Sequence, residues 1–257
     1  MLYLLVAFLV IGCQKAEITP TDTQNLPASS EKAATISLVK ANYTPCYWAD
    51  LLIQNVTNDN NIYSTLNSDD LVTWAGVNGA KLYYCKTDCS GLLKNLLKQT
   101  YGYTDTYFRT WTGTINPYAA TYYNEISSKD HFSQVSTVTT IIRGDIIAIK
   151  YPAGTSTNTG HIMLVASPPV LRASTPPLVS NTKQYEISVI DASSSGHGSL
   201  DTRYISTGNF NDGIGRGIFR LYTNTKGAIV GYCWSNYSTS DYYTLSARPL
   251  LIGRLIP

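Results

Sequence analysis

The spacing of apolar residues divides this chain into a helical front and a stranded back. Helical spacing predicts helices over residues 45–56, 69–74, 90–101 and 117–126. Thr44 and Pro45 supply the cap and the first-turn proline of the first helix, and Gly102 is a suitable stop for the third.

Strand patterns dominate the second half. Short apolar runs bounded by turn residues predict strands at 141–142, 146–151, 161–167, 185–192, 217–222, 228–234 and 249–255. Helices first and antiparallel strands afterwards favour an α+β fold over a doubly wound sheet. The long connections 152–160, 168–184 and 193–216 would surround the strand ends, where functional residues are often found.

The N-terminus has the pattern of an export signal. The apolar run from Leu2 to Ile11 is shorter than the roughly 20 residues that span a bilayer, so it predicts a signal-peptide core. It closes with Val10-Ile11-Gly12-Cys13, which resembles a bacterial lipoprotein signal. We therefore expect a signal peptide at 1–12, a lipidated Cys13 with a tether over 13–33, and one domain over 34–257, anchored to a membrane in the bacterial cell envelope.

The composition limits the kinds of ligand and partner that this chain is expected to bind. The net charge is +2 and the basic residues are scattered, which does not suggest nucleic-acid binding. The three histidines show no metal-ligand spacing, so neither a metal nor another cofactor is expected.

The chain has five cysteines. If Cys13 is lipidated and Cys89 is catalytic, three of them remain. Buried free thiols are favoured over one disulfide for Cys46, Cys85 and Cys233.

Asp88-Cys89-Ser90-Gly91 opens the strongest helical pattern, so Cys89 is predicted at a helix N-terminus. Free N–H groups and the positive end of the helix dipole stabilise a thiolate there. A cysteine alone would more often be core, but Gly160-His161 opens a strand downstream. Strand alternation could place His161 beside Asp191, whose carboxylate would orient the imidazole that takes the Cys89 proton. Taken singly, His161 could be a core histidine and Asp191 a turn cap.

These segments resemble a known family. Residues 88–92, Gly144-Asp145 leading into a strand, and Gly160-His161 opening the next are similar to the NlpC-type family of papain-like bacterial cell-wall cysteine peptidases, over roughly residues 74–234. The resemblance implies a papain-like fold, with N-terminal helices packed on an antiparallel β-sheet or half-barrel. It also implies that Cys89 is the nucleophile, His161 the base and Asp191 the third residue.

Family members also carry Trp-Gly-Gly shortly before the cysteine, with a tyrosine that lines the substrate site. This chain has Trp74-Ala75-Gly76, further from Cys89 than is usual, and Tyr83 or Tyr84 could take the role of the tyrosine. The candidate substrate contacts are Trp74, Tyr83, Tyr84, Asp88, Ser90 and His197.

His197 lies in a Gly/Ser-rich segment and has three interpretations: a rival third residue, a substrate contact, or an ordinary loop histidine. The ordinary loop histidine is the default, because mobility would spoil an orienting role. Gly213, Gly215 and Gly217 lack phosphate-loop spacing and predict a turn that enters a strand.

The resemblance implies an envelope hydrolase that cleaves amide bonds in peptidoglycan stem peptides, with a preference for bonds involving D-amino acids, through a Cys89 thioacyl intermediate. Two alternatives remain open. One is a papain-like amidase or acyltransferase with another substrate, and the other is an inactive wall-binding lipoprotein.

Overall fold

The structure is a computed structural model that describes residues 44–154 and 158–257. The predicted signal peptide, Cys13 and the tether lie outside the described residues. Over the described residues the fold is α+β, as the sequence predicts. No helix in these two ranges combines the length and the apolar character needed to cross a bilayer.

Four α-helices occur in the described ranges: α1 Pro45–Asn55, α2 Cys89–Tyr101, α3 Asp105–Thr112 and α4 Ala119–Ser128. The helices predicted at 45–56, 90–101 and 117–126 are confirmed, whereas α3 was not predicted. α1 begins as expected because the Thr44 side chain accepts a hydrogen bond from the Tyr47 amide. α2 ends at Gly102, whose φ of 73° is left-handed.

The helix predicted over 69–74 is wrong. A 3-10 turn at Asn67–Asp69 leads into strand β2, and the three strands of this small sheet are β1 Asn61–Tyr63, β2 Leu71–Thr73 and β3 Tyr84–Thr87. β3 is central, with β1 parallel and β2 antiparallel to it. Val72 pairs with Cys85 and both are buried, so cross-strand packing overrides the helical spacing.

A nine-stranded sheet forms the rest of the core. Its strands are β4 Phe132–Gln134, β5 Ile146–Lys150, β6 Gly160–Val165, β7 Val170–Leu171, β8 Lys183–Ser193, β11 Gly213–Thr223, β12 Ile229–Cys233, β13 Tyr242–Thr244 and β14 Leu250–Leu255. The order across the sheet is β13-β12-β11-β8-β6-β5-β14-β4, with β7 beside β8, and the pairings are antiparallel. A separate hairpin joins β9 Tyr204–Ser206 to β10 Asn209–Phe210.

The predicted strands from residue 146 onward are all found in this sheet, and β8 and β11 are longer than predicted. The strand start predicted at 141–142 is wrong, because a 3-10 turn at Val138–Thr140 precedes it and Ile141 is its C-cap. Two apolar clusters cover the two faces of the sheet. Strand alternation separates them.

Helix α2 packs on one face of the sheet, with leucines of its inner side against Ile162 and Leu164 of β6 and Ile190 of β8. This packing sets the start of α2 next to β6 and β8. Cys46, Cys85 and Cys233 are free thiols without measurable exposure, so the prediction of buried thiols is confirmed for them.

Candidate active site

Cys89 is the first residue of α2, where backbone N–H groups have no partner within the helix. Asp88 caps this end: its carboxylate accepts hydrogen bonds from the Gly91 amide at 2.7 Å and from Ser90 Oγ at 2.9 Å. Gly91 is required by space, because an added Cβ would lie 2.2 Å from Thr87 Oγ1. The sequence motif 88–91 is thus a helix cap with a thiol at its start.

A buried ion pair braces the same helix end. The Asp70 carboxylate is paired with the Lys94 ammonium, and its Oδ1 accepts hydrogen bonds from Thr87 Oγ1 at 2.8 Å and from Asn95 Nδ2 at 2.7 Å. Lys94 Nζ also donates to Asn116 Oδ1 at 2.7 Å. These contacts tie the first turns of α2 to the strand that ends just before Cys89, which holds the thiol in a fixed position.

His161 is placed by its glycine neighbour. Gly160 has a φ of 150°, and an added Cβ would lie 1.9 Å from the Ile149 carbonyl oxygen, so only glycine fits. The close approach sets the β5–β6 pairing, in which His161 lies opposite Ile149. Gly160 therefore allows the start of β6 to lie close to the backbone of β5. His161, the next residue, directs its imidazole to the start of α2.

The imidazole of His161 joins Cys89 to Asp191. Its Nε2 lies 2.6 Å from Asp191 Oδ2, which leaves Nδ1 for the thiol. Burial alone would lower the pKa of His161, but the charge of Cys89 and hydrogen bonds to Asp191 and Cys89 raise it to about 10. The raised pKa favours the imidazolium form of His161, which can give a proton to a neighbouring group.

Asp191 lies on β8, where Leu164 of β6 pairs with Ile190. This register puts Asp191 on the same face as His161 and diagonal to it. The Asp191 side chain is completely buried. Burial alone would raise the pKa of this carboxyl group, but the charges of Arg203 and His197 and the hydrogen bonds from both histidines hold it well below its usual range. The carboxylate is therefore ionised and can stabilise a His161 imidazolium.

His197 contacts the same carboxylate. Its Nε2 lies 2.9 Å from Asp191 Oδ2, and its Nδ1 lies 2.6 Å from the Trp234 carbonyl oxygen. Only 4% of the residue is exposed. The default interpretation as an ordinary loop histidine is wrong, because long-range hydrogen bonds fix a segment whose composition suggests mobility.

Arg203 and Asp201 complete a buried layer behind Asp191. Arg203 donates from one terminal nitrogen to Asp191 Oδ1 at 2.8 Å and to Asp201 Oδ2 at 2.9 Å. Asp201 also accepts hydrogen bonds from the His197 amide at 2.8 Å and from the Arg203 amide at 2.9 Å. Neither residue was a sequence candidate. Asp201 and Arg203 lie two positions apart in a polar segment. Exposed charged residues have the same pattern, so the sequence does not show that these two are buried.

Two cavities of about 270 Å³ each adjoin this centre. One lies on the Cys89 side and includes Asp88, Ser90 and Tyr118, and the other lies on the His161 side and includes Trp234 and the serines 193–195. Tyr63 and Asn158 line both cavities. The Cys89 thiol thus borders one space and the His161 imidazole borders the other, so a bound molecule could reach both groups.

Tyr63 is a tyrosine that lines the same cavity as Cys89, and sequence reasoning missed it. It ends β1, and the parallel pairing with β3 puts it opposite Thr87, two residues before Cys89. Burial, and then the negative charges of Cys89, Asp88 and Asp191, raise its pKa above the usual range, so the hydroxyl keeps its proton. A three-residue parallel strand leaves no sequence signal that would have identified Tyr63.

The other candidate aromatics lie elsewhere. Trp74 is buried in the core, where its indole N–H donates to the Trp48 carbonyl at 2.8 Å. Tyr83 packs against the same core, and Tyr84 begins β3. None of the three lines either cavity among the described residues. An extended strand rises about 3.3 Å per residue, so β3 carries Tyr84 well away from Cys89.

Three of these groups also have the spacing of metal ligands. One ligand atom each from His161, Asp191 and His197 lies within 4.8 Å of the others, a spacing that could hold an ion. Nitrogen–oxygen distances of 2.6 and 2.9 Å are those of charge-assisted hydrogen bonds. The Arg203 guanidinium on the other carboxylate oxygen opposes a second cation. The contacts therefore favour a hydrogen-bonded site.

Comparison with known proteins shows a similarity to a viral protein. The chain is similar to the uncharacterized protein R653 of Acanthamoeba polyphaga mimivirus, with 33% identity over 215 residues, which cover 81% of this chain and 94% of the viral protein. No family model and no solved structure matches the chain.

Proposed function

Because the chain belongs to the same family as the mimivirus protein R653, whose name states no activity, we propose its function from the site: a papain-like cysteine hydrolase that cleaves amide bonds. The observation that carries the proposal is the hydrogen-bonded series from Cys89 through His161 to Asp191, at a helix N-terminus and between two cavities. Each member has the neighbour that nucleophilic catalysis requires.

In the proposed reaction the Cys89 thiolate attacks the carbonyl carbon of the amide. The tetrahedral oxyanion accepts a hydrogen bond from the Cys89 amide at the start of α2. The C–N bond then breaks as the His161 imidazolium gives its proton to the departing amine. In the second half, His161 takes a proton from water, the hydroxide oxygen attacks the thioester, and the C–S bond breaks to release the acid and the thiolate.

The Tyr63 hydroxyl is the proposed second donor to the oxyanion. It lines the cavities on both sides of the reacting groups and stays protonated beside three negative charges. We expect Tyr63→Phe to lower kcat by about 10²–10³-fold with a smaller change in KM, the loss typical of one oxyanion donor. Steady-state kinetics would measure it. Tyr118→Phe is the matched control, since Tyr118 lines the Cys89-side cavity but is exposed. Equal effects of the two substitutions would contradict this role.

Peptidoglycan stem peptides are the proposed substrates. Among the residues that line the Cys89-side cavity, Asp88 is the carboxylate, and it suits a cationic group such as a free amine on the acyl half of the substrate. Digestion of defined muropeptides, with the amine free or acetylated, tests this substrate class by mass spectrometry. The proposed membrane anchor at Cys13 is tested separately by incorporation of a palmitate analogue.

Thiol reactivity tests the proposed chemistry without a substrate. Burial raises the pKa of Cys46 to about 11 and that of Cys85 to about 12, and it raises that of Cys233 as well. We expect iodoacetamide at pH 6.5 to modify Cys89 at least about tenfold faster than these three, because the thiolate is the reactive form. Mass mapping of the full chain identifies the modified residue. A Cys89 no faster than the buried thiols would contradict a catalytic role.

A further inference from the structure

We propose that His197 is a positioning residue: its Nε2–H fixes the Asp191 carboxylate in the orientation that aligns His161 with Cys89. The inference rests on the proposed function and extends it to a second imidazole. Both ring nitrogens of His197 face oxygen atoms that can only accept, the Trp234 carbonyl and the ionised Asp191 carboxylate. Each ring nitrogen therefore lies where its oxygen partner needs a hydrogen-bond donor.

The orientation of Asp191 needs a support other than His161. His161 gains and loses its proton at Nδ1 and keeps its Nε2 contact with Asp191, but that contact reaches Oδ2 alone and so does not by itself fix the plane of the carboxylate. Arg203 holds Oδ1 and His197 holds Oδ2, which leaves His161 to use a carboxylate already fixed at both oxygens. Arg203 and His197 therefore fix the plane of the Asp191 carboxylate, and the carboxylate in turn fixes the orientation of the His161 ring.

The sheet is shaped to seat the segment that carries these groups. A Cβ on Gly217 would lie 2.4 Å from Asp201 Oδ2 and 2.6 Å from His197 Cβ, and one on Gly215 would lie 2.3 Å from Arg203 Nε. These glycines belong to β11, directly beside β8 and Asp191. The glycine series was predicted as a turn that enters a strand; it lies wholly within β11, where the absence of side chains leaves room for His197, Asp201 and Arg203.

Two substitutions separate positioning from simple packing. The side-chain amide of glutamine reaches about as far as Nε2 of histidine, and that of asparagine about as far as Nδ1. His197→Gln should keep the donor to Asp191, and His197→Asn should keep only the donor to the Trp234 carbonyl. Two quantities are measured, kcat and the rate at which Cys89 is alkylated at pH 6.5. We expect both to fall by about 10–100-fold in the asparagine variant and by no more than about threefold in the glutamine variant. The size of the loss is taken from residues that hold metal ligands in place in other proteins.

The result that overturns the proposal is the reverse order, equal loss in both variants, or no loss in either, in proteins whose circular dichroism matches that of the wild type. If neither variant folds, long-range ¹H–¹⁵N spectra of the wild-type imidazoles decide. A protonated Nε2 on His197 supports the proposal, and an unprotonated Nε2 overturns it.

Alkylation needs no substrate, so the two hypotheses fail in different ways. Wild-type hydrolysis with insensitive His197 variants would leave the hydrolase in place and remove the positioning role. A reactive Cys89 that depends on the His197 amide donor, in a protein that cleaves no amide tested, would keep the positioning role and remove the hydrolase. An unreactive wild-type Cys89 would remove both.

Discussion

Cys89→Ala is expected to remove hydrolysis, with kcat lower by on the order of 10⁶-fold, as when the nucleophile of other covalent hydrolases is deleted. The loss follows because the proposed reaction has no other atom that can carry the acyl group. The change should leave the fold intact, since Cys89 heads the helix and the cap is provided by Asp88. Turnover of a muropeptide substrate, together with thermal unfolding of both proteins, measures the two effects.

The control for Cys89→Ala is Cys233→Ala, which removes a fully buried thiol from β12. That variant should lose some stability, roughly 1 kcal/mol or more for a small buried group, and keep its turnover per folded molecule. Wild-type turnover by folded Cys89→Ala protein would exclude the thioacyl mechanism.

Asp191→Asn should lower kcat by on the order of 10⁴-fold with little change in KM, the size seen when the orienting carboxylate of a triad becomes an amide. Asparagine keeps the shape, but its amide N–H₂ would face donors on His161, His197 or Arg203. The change removes the negative charge that stabilises the His161 imidazolium. Steady-state kinetics with a stability measurement gives the split between kcat and KM.

The matched control is Asp50→Asn, which removes a carboxylate that pairs with Arg143 and Arg216 away from the reacting groups. We choose asparagine at position 191 because alanine would leave the buried Arg203 with one carboxylate fewer, which is strongly destabilising in itself. A loss confined to KM, or a loss as small as that of the control, would contradict the orienting role of Asp191.

The parts of the site that the sequence revealed are those with local signals. Cys89 stands between a capping aspartate and a helical leucine pattern, and His161 follows a glycine at a strand start. Asp191 closes an alternating strand on the same face. Each of these signals depends on neighbours within a few residues, where periodicity is informative.

The parts that the sequence did not reveal depend on distant partners. Tyr63 is at the site because a short parallel strand pairs with β3, and residues 69–74 are extended because Val72 packs against Cys85. His197 was expected to be mobile from its glycine and serine neighbours. Asp201 accepts a hydrogen bond from the His197 amide, and the glycines of β11 leave space for the segment. The composition of the segment gives no indication of these contacts.

The depressed pKa of Asp191 has a consequence for the behaviour of the protein in acid. A carboxylate whose pKa is lowered on folding contributes stability that is fully present above its unfolded pKa and is lost progressively as the pH falls from there through the lower folded value. For Asp191 that value lies well below 3.8. Proton uptake by Asp191 in the unfolded chain should therefore lower the free energy of unfolding as the pH falls from the unfolded pKa toward the folded one, so acid weakens the fold through the same carboxylate that holds His161.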